Sequence, residues 1–330
     1  MKSTKSKTGY TRFVMTLIIL ALFGLFSQGE VLAEKFPSRE IELVINYGPG
    51  GSTDLMSRLV GNSVSKMLGV PMIYNNKPGG GGAIAASYVA NAKPDGYTIG
   101  TGGAGNLGML LVAGENIPYT LKDFSGIARA VTIPFCIVTK KGRFENFDGF
   151  VKEAKQNPGT LTFASYGAKG ASHIMGELIN QVAGIKVKHV PFDSGGKAAV
   201  AALGGHVDIA VLTTSSALSN VKAGTLTALA ISSENRAEEY PDSLTLKELG
   251  YAAATFTTFD GFMTSSKVPK EQLLIIKSAF ERSLKDPEVQ GGLKKAGMVP
   301  GYLSGEEYDV FLRKSLDIMN KVAIEAKIIK

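Results

Sequence analysis

The segment Gly48-Pro49-Gly50-Gly51-Ser52-Thr53-Asp54 decides the fold, and it follows directly on the apolar run Ile41–Tyr47. This order predicts a buried strand that breaks into glycine and reopens as a helix. At such a break, unpaired backbone N–H groups and the helix dipole point to one spot and make an anion site. The same order returns at Leu161–Tyr166, which precedes Gly167-Ala168-Lys169-Gly170-Ala171-Ser172-His173. The two helix starts together predict a cleft that closes on a small acid.

Short apolar strands alternate with helical patterns along the chain, an order that is typical of a parallel α/β architecture. The predicted strands are Ile41–Asn46, Met72–Asn75, Thr98–Thr101, Ile133–Thr139, Thr160–Ala164, Val187–Val190, Ile209–Leu212, Ala228–Ser232 and Gly261–Thr264. The predicted helices include Thr53–Leu68, Gly82–Asn91, Phe147–Gln156, Ser172–Val182, Ala198–Leu203, Glu271–Leu284 and Gly305–Ala326. Several glycine-rich loops fall at the C-terminal ends of strands, where open α/β sheets bind ligands.

No stretch rich in proline or serine separates two domains, so a domain boundary has to fall within a strand that crosses between them. We expect crossings around Val138-Thr139-Lys140 and, on the way back, near Thr257-Thr258-Phe259. The chain is long enough for two cores of ordinary size or for one large core.

The N-terminal segment has the three parts of a secretory signal peptide. Basic residues among positions 2–12 precede the apolar run Phe13–Phe26, and Val31-Leu32-Ala33 offers the small residues that signal peptidase requires. A membrane anchor is the alternative, but a bilayer span needs about 20 apolar residues and this run is shorter. We therefore expect cleavage after Ala33 and export to the periplasm. No cysteine lies near this position, which argues against a lipid anchor.

Composition restricts the partners that the protein can have. The 330 residues include 36 Lys and Arg and 29 Asp and Glu, and the charge stays mildly positive once residues 1–33 are removed. A mild positive charge favours the attraction of anions. Because Lys and Arg do not cluster with aromatic residues, we expect no nucleic-acid partner.

Cysteine and histidine give no sign of a metal site. The single cysteine, Cys136, lies in the apolar run Ile133–Val138 and is predicted to be a buried hydrophobic residue without a disulfide. His173, His189 and His206 share no metal-ligand spacing. We expect neither a metal nor a cofactor.

The first glycine loop, Tyr47–Asp54, has two interpretations. Ser52, Thr53 and Asp54 all favour helix starts, so part of the pattern is helix initiation alone. Arg58 stands four residues after Asp54 on the predicted helix and would neutralise a carboxylate near an anion site. A phosphate-binding loop would continue with Gly-Lys-Ser/Thr, which is absent here. The pattern favours a carboxylate-binding loop over a plain turn.

Two further loops are less specific. The glycines of Pro78-Gly79-Gly80-Gly81-Gly82 either let the backbone approach a ligand or let a strand and a helix meet tightly, and both interpretations stay open. The segment Gly103–Gly108 matches G-x-G-x-x-G letter for letter. No βαβ unit with a ribose-binding acid follows it, so we expect no dinucleotide. Thr101, at the start of this loop, remains a candidate ligand contact.

The fourth loop, Ser165–His173, contains the dipeptide Ser172-His173, which suggests a nucleophile beside a base. Adjacent residues at a helix start point apart, no G-x-S-x-G elbow is present, and serine is an ordinary N-cap. Anion binding by Ser165, Gly170 and Ser172 is therefore favoured over catalysis.

A set of short motifs follows in one order along nearly the whole mature chain. They are Phe36–Ile41, Gly48–Asp54 with Arg58, Asn76–Gly82, Lys93–Thr98, Leu121–Phe124, Ala164–Gly167, Leu203–Asp208, Lys222–Gly224, Arg236 with Tyr240–Asp242, and Glu248–Gly250. This set resembles the solute receptors of tripartite tricarboxylate transporters, often called Bug-type receptors.

The resemblance implies a two-lobed α/β periplasmic-binding-protein (Venus flytrap) fold, each lobe a mainly parallel sheet flanked by helices. Lobe 1 would comprise residues 34–138 and 258–330, and lobe 2 residues 139–257, with the ligand cleft between them. Such a protein is a monomeric receptor rather than an enzyme, and it hands a small carboxylate to membrane permease subunits. The alternatives are a ligand-sensing receptor of a two-component signalling system and an exported hydrolase.

The resemblance also implies that backbone amides, hydroxyls and waters from the helix-start loops hold the carboxylate. The matching positions in lobe 1 are Gly50, Gly51, Ser52, Asp54, Gly81, Gly82 and Thr101. Those in lobe 2 are Ser165, Gly167, Gly170, Ala171 and Ser172.

One segment departs from the family pattern. The family often has Pro-Tyr-Lys-Gly where this chain has Pro191-Phe192-Asp193-Ser194, so an acid replaces a common base. Asp193 is therefore a candidate either for capping the next helix or for contacting an ammonium or hydroxyl group of the ligand. Asp260, at the returning crossover, is a weaker candidate of the same kind.

Overall fold

A computed structural model of the protein describes residues 35–113 and 116–325. One compact unit begins at Arg39 and contains all helices and strands of the described residues. The predicted signal peptide and its cleavage after Ala33 lie outside the described residues. No helix in the described part of the chain is long and apolar enough to cross a membrane.

Strands and helices alternate through most of the chain. The strands are β1 (Ile41–Ile45), β2 (Met72–Asn76), β3 (Thr98–Gly103), β4 (Phe124–Lys140), β5 (Thr162–Tyr166), β6 (Lys188–Phe192), β7 (Ile209–Thr213), β8 (Leu226–Ile231), β9 (Thr257–Ser265) and β10 (Val299–Ser304). The helices are α1 (Ser52–Leu68), α2 (Ala83–Asn91), α3 (Leu110–Ala113), α4 (Phe147–Gln156), α5 (Ala171–Val182), α6 (Gly195–Gly204), α7 (Thr214–Lys222), α8 (Lys270–Lys285), α9 (Pro287–Lys295) and α10 (Gly305–Glu325). Short helical segments cover Gly80–Gly82, Ala104–Met109, Leu121–Asp123 and Ala252–Ala254.

The strands form one continuous sheet in the order β2-β1-β3-β9-β4-β7-β5-β6, and β8 and β10 also pair with β4. Two groups are parallel, β1 with β2 and β3, and β5 with β6 and β7. The strands between these groups, together with β8 and β10, pair antiparallel. The sheet is therefore mixed, with the predicted parallel α/β arrangement at each end.

The long strand β4 joins the two parallel groups. Residues Phe124–Pro134 pair with β9, whereas Phe135–Lys140 pair with β7 and β8. We name β1, β2, β3, β9 and β10 the first half of the sheet, and β5, β6, β7 and β8 the second half. The chain returns to the first half at β9. The division into lobes at residues 138 and 258 remains a prediction.

Helix α1 shows how the sequence places a helix start. Met56, Val60 and Val64 recur every fourth residue and are fully buried. Each such side chain contributes about 1.5–3 kcal/mol when it is removed from water. The helix ends at Gly69, whose φ of 72° terminates it and whose N–H donates to the carbonyl of Ser65. This apolar stripe fixes α1 on the sheet and thereby fixes where its N-terminus points.

All the predicted strands and helices are present, and the main differences concern unpredicted segments. Strand β4 begins at Phe124 rather than at Ile133, and β10, α3, α7 and α9 are additional. Strand β10 contains Pro300 and has no fully buried residue, so it lacks an alternating apolar pattern. Helix α9 contains Gly291 and Gly292, which lower helix propensity, and is held by buried Val289 and Leu293.

Cys136 confirms the prediction of a buried thiol. It is free and fully buried on β4, and burial raises the pKa of the thiol well above its usual value. The side chain is therefore a small hydrophobic core residue rather than a reactive group.

Candidate functional site

Helix starts from the two halves of the sheet meet at one place. The backbone N–H of Gly48, just after β1, donates to the carbonyl oxygen of Asp193 at 3.1 Å. The N–H of Ser52, the first residue of α1, donates to Ser216 Oγ on α7 at 3.3 Å. These bonds join segments that lie about 150 residues apart in sequence. The C-terminal ends of parallel strands therefore deliver several helix N-termini to a single cleft.

Three helices at this cleft begin without a side-chain cap. The N-cap residues of α1, α2 and α5 are Gly51, Gly82 and Gly170, and none of them offers a side-chain acceptor to the first turn. The two other helices that start at the cleft, α6 and α7, are capped by the side chains of Ser194 and Thr213. Glycine caps leave first-turn N–H groups available to another acceptor, and the helix dipole favours an anion there.

The cleft encloses two small cavities that share Tyr47. The inner one has a volume of about 10 Å³, roughly the space of one water molecule. Its lining consists of Tyr47, Gly51, Ser52, Thr53, Tyr166, Gly195 and Ser216. The outer one has a volume of about 210 Å³ and is lined by Tyr47, Gly79, Gly80, Gly81, Gly167, Ala168, Pro191, Phe192 and Asp193. Both linings combine residues of the two halves of the sheet.

Larger cavities of about 760 and 750 Å³ lie elsewhere in the described residues. One lies between α1 and α9, and the other beside α10 and β4. Neither is lined by any of the predicted site residues. Size alone does not define a site, and we place it at the cleft because backbone donors from both halves converge there.

Two tyrosines form the wall between the halves. Tyr47, which follows β1, and Tyr166, which ends β5, meet edge to face with ring centroids 5.3 Å apart. Tyr47 donates to the carbonyl of Gly81 at 3.3 Å. Burial raises the pKa of both phenols well above the usual value, and the nearby Asp260 carboxyl raises that of Tyr47 further. Both side chains are therefore neutral at pH 7 and can donate hydrogen bonds.

Asp54 is held within its own loop rather than at the cavities. Its carboxylate accepts from Arg58 at 3.1 Å, from Asn76 at 3.1 Å and from the N–H of Gly50 at 3.1 Å. Burial raises the pKa of Asp54, but these bonds outweigh burial and hold the pKa below its usual value. The predicted pairing with Arg58 is confirmed, with an ion pair at 3.0 Å. Asp54 thus shapes the turn that presents Gly51 to the cleft.

Asp260 lies directly behind α1. Its Oδ2 accepts from Thr53 Oγ1 at 2.7 Å, and Thr53 itself lines the inner cavity. Burial raises the pKa of Asp260 to about 7, and the Thr53 hydroxyl offsets only part of this effect. Asp260 therefore contacts the cavity lining from behind and does not line the cavity itself.

The glycines of the second loop make tight packing contacts, and the approach of their backbone to a ligand stays a prediction. A Cβ on Gly82 would lie 2.8 Å from the Asn106 side chain, so this glycine allows tight packing within the first half. Gly81 lines the outer cavity, and a Cβ there would lie 2.8 Å from the carbonyl oxygen of Ala168 in the second half. Thr101 is buried and bonds with Asn46, so it supports the floor of the loop.

Of the predicted residues of the fourth loop, only Gly167 lines the outer cavity. Gly170 caps α5 and Ala171 begins it, and neither lines a cavity. Ser165 and Ser172 are fully buried and do not line either cavity. Ser172 donates to the carbonyl of Val211 at 2.6 Å, while His173 accepts from the N–H of Lys169. The dipeptide Ser172-His173 therefore forms no nucleophile–base pair.

Asp193 lies at the rim of the outer cavity. Its half-exposed carboxylate pairs with Lys197 at 2.7 Å. The cap of α6 is Ser194, whose hydroxyl accepts from the N–H of Lys197, so the expectation that Asp193 caps this helix is wrong. Ser194 stands at the N-cap position, with the extended backbone that a capping residue adopts, and Asp193 lies one residue before it.

Five of the inner-cavity residues were missed from the sequence. They are Tyr47, Thr53, Tyr166, Gly195 and Ser216. The two tyrosines end apolar strand runs and are indistinguishable there from core residues. Ser216 follows the buried strand β7, and the run Thr213–Ser216 carries a capping signal in which Thr213 accepts from the N–H of Ser216. That signal was available in the sequence.

The comparisons with known proteins agree with this geometry. The family described as tripartite tricarboxylate transporter family receptor matches residues 56–328, and the chain belongs to this family. A protein of the gbd 5′ region of Cupriavidus necator is 31% identical over 304 residues, which cover 88% of this chain and 90% of the relative. Members of the family and their structural neighbours are solute-binding receptors rather than enzymes.

Two solved structures share the fold. The periplasmic binding protein BugD has a TM-score of 0.85 at 25% identity, over 89% of this chain and 99% of its own. MatC from Rhodopseudomonas palustris, solved with bound malate, has a TM-score of 0.83 at 25% identity, over 87% of this chain and 99% of its own. This likeness confirms the two-lobed periplasmic-binding-protein fold. Within the described residues, no cluster of His, Cys, Asp or Glu is arranged to hold a metal ion.

Proposed function

We propose that this protein is an exported receptor that captures a small organic carboxylate between two lobes and delivers it to a tripartite tricarboxylate permease. One observation carries the proposal: glycine-capped helix starts from both halves of the sheet meet around cavities lined by amides and hydroxyls. The malate bound by MatC supports a carboxylate as the ligand class. Export would follow cleavage after Ala33, and the mature protein would act as a monomer.

The predicted site residues take different parts in this proposal. Direct contacts come from Gly51, Ser52, Gly170 and Ala171, with Gly195 and Ser216 added from the structure. Gly81, Gly167 and Asp193 surround the outer cavity, where the distal part of the ligand lies. Gly50, Asp54, Gly82, Thr101, Ser165 and Ser172 hold the loops in shape.

Closure of the cleft is the signal that a permease recognises. Lobe 1 (residues 34–138 and 258–330) and lobe 2 (residues 139–257) are linked by β4 and β9. A ligand that touches both lobes stabilises the closed state by its extra contacts there, and it shifts the population towards that state.

The donors present are sufficient for useful affinity. A helix N-terminus contributes about 0.3–1 kcal/mol to a nearby anion, and a hydrogen bond to a charged group about 1.5–3 kcal/mol. Two or three helix starts with one or two such hydrogen bonds each contribute about 4–21 kcal/mol, and micromolar binding requires that about 8 kcal/mol remain after the costs of closure.

The proposal is tested by thermal unfolding of residues 34–330 with a panel of mono-, di- and tricarboxylates, aromatic acids and amino acids. A ligand at a thousand times its dissociation constant adds about 4 kcal/mol and raises the midpoint by several degrees. The protein is first unfolded and refolded, so that any ligand acquired during expression is removed. A shift with one class of acid supports the proposal, and a flat panel after refolding contradicts it.

A further inference from the structure

His173 and His189 form a partly buried pair beside the start of α5 that the proposed function leaves unused. Their rings stack with centroids 3.7 Å apart and planes within 9° of each other. The ring of Phe163 packs against His189, with centroids 5.1 Å apart. His173 lies on the first turn of α5 and His189 on β6, so the stack connects the helix start to the sheet.

His173 is hydrogen-bonded to Lys169, a residue with a strained backbone in the loop that precedes α5. Lys169 has a φ of 59°, in the left-handed region that residues with a side chain rarely adopt. Its backbone N–H donates to Nδ1 of His173 at 2.9 Å. Backbone strain of this kind persists where surrounding contacts impose it, and this hydrogen bond is such a contact.

The surrounding groups fix which nitrogen of His173 accepts. Because the Lys169 N–H donates to Nδ1, the ring proton is on Nε2, which faces Glu177 Oε1 at 3.6 Å. Ser165 Oγ lies 2.6 Å from Nε2 of His189 and holds the second ring in its plane. Burial, together with the neighbouring His173, lowers the pKa of His189 to about 4, so that ring is neutral at pH 7.

The same loop contacts the first half of the sheet. A Cβ on Gly167 would lie 2.9 Å from Cα of Gly81, and one on Gly170 would lie 3.6 Å from Oη of Tyr47. A Cβ on Gly81 would lie 2.8 Å from the carbonyl oxygen of Ala168. The conformation of residues 167–170 therefore decides how closely the two halves fit and where the first amides of α5 point.

We infer that His173 is a positioning residue of the carboxylate site: its Nδ1 holds Lys169 in the left-handed conformation and thereby orients the Gly167–Gly170 loop towards the ligand. The inference rests on the proposed function of the cleft. It also assigns Ser165 an indirect role, because Ser165 hydrogen-bonds to His189, the ring on which His173 stacks.

A double-mutant cycle tests the inference. His173→Phe keeps an aromatic ring for the stack and removes the acceptor, while Lys169→Gly removes the strain that the acceptor holds. Calorimetric titrations with sodium malate, adipate and citrate measure affinity in the wild type, both single variants and the double variant. We expect His173→Phe to weaken binding about tenfold, the change that corresponds to one lost hydrogen bond. In the Lys169→Gly background the same substitution should change affinity less than twofold, because glycine adopts this conformation unaided.

Two outcomes of the cycle overturn the inference. Equal affinity of the wild type and His173→Phe removes His173 from the site. A similar loss in both backgrounds shows a general structural effect that does not pass through Lys169. Lys169→Gly alone also removes a positive charge, and the cycle subtracts this effect because it is present in both backgrounds.

A measurement without ligand separates this inference from the proposed function. Amide hydrogen exchange at Lys169 should be slow in the wild type and at least tenfold faster in His173→Phe, and nitrogen-15 shifts should place the His173 proton on Nε2. If the wild type binds none of the three acids, the proposed function loses its support and the exchange result alone decides the role of His173. Unchanged exchange overturns it.

Discussion

Replacing Asp260 by asparagine tests the cost of keeping a carboxyl group buried behind α1. Asp260 accepts one hydrogen bond from Thr53 and forms no ion pair among the described residues. Burial raises the pKa of Asp260 from its usual 3.8 to about 7. Asparagine keeps the shape of the side chain and an acceptor oxygen for Thr53, and it removes the ionisation by placing an amide nitrogen where the second carboxyl oxygen lies.

The sign of the effect follows from the direction of this shift. In the folded protein Asp260 stays protonated up to about pH 7, whereas in the unfolded chain it ionises near pH 4. Stability is therefore lost as the pH rises from about 4 to about 7 and stays at the lower level above that. The full difference corresponds to about 4 kcal/mol, of which about 3 kcal/mol falls between pH 5 and pH 8.

Urea denaturation of the ligand-free protein at pH 5 and pH 8 measures this loss. The free energy of unfolding of Asp260→Asn minus that of the wild type should increase by about 3 kcal/mol from pH 5 to pH 8. Asp193→Asn is the matched control, because Asp193 is half-exposed and paired with Lys197, and its effect should differ little between the two pH values. Parallel behaviour of the wild type and Asp260→Asn would refute the reasoning that Asp260 is buried without a compensating charge.

Two further substitutions test the cleft itself. Gly51→Val should abolish binding with little loss of stability, because Gly51 has a φ of −86° that valine tolerates and its Cβ would face the N–H of Gly195 at 3.6 Å. Gly291→Val is the control for both titration and unfolding, because a Cβ added at this helical glycine would have nothing within 4 Å. Equal ligand affinity of Gly51→Val and Gly291→Val would show that the first loop is not part of the site. Asp193→Asn should weaken amino and hydroxy acids about threefold more than plain dicarboxylates, because Asp193 is the one acid on the outer-cavity lining and a half-exposed charge contributes little. Equal calorimetric affinities for both classes would show that Asp193 does not select the ligand.

Local patterns in the sequence were enough to predict the helix starts. Gly51 and Gly170 were identified because glycine and helix-starting residues follow apolar strands. This pattern depends only on residues that are neighbours in the sequence. The same holds for the pair of Asp54 and Arg58, which a helix brings together at a spacing of four residues. The single buried Cys136 was predicted for a similar reason, since it lies within an apolar strand.

The sequence pattern does not reveal contacts between distant segments. Ser165 and Ser172 have the residue type and position of ligand contacts, but His189 and the carbonyl of Val211 bind their hydroxyls from other strands. Tyr47 and Tyr166 are the reverse case: they were not predicted as site residues, yet they line the inner cavity. In the sequence, a tyrosine at the end of a strand cannot be told from a core residue. These outcomes depend on which strands become neighbours, and that is a property of the whole fold.

The order of the strands in the sheet could not be predicted from the sequence for the same reason. Strand β4 changes partners between Pro134 and Phe135, and it pairs antiparallel with four strands, β7, β8, β9 and β10, among which a periodicity of two residues does not distinguish. Strand β10 carries Pro300 and has little burial, so its place in the sheet depends on β4 rather than on its own sequence.

A calorimetric titration with one acid and with its primary amide tests the central claim most directly. The acid is the one that gives the largest thermal shift, and its amide has the same shape without the charge. If helix N-termini hold a carboxylate, the acid should bind at about micromolar affinity and the amide at least about a hundredfold more weakly, a difference of about 3 kcal/mol. Equal affinities for the acid and the amide would contradict the claim that the cleft is an anion site.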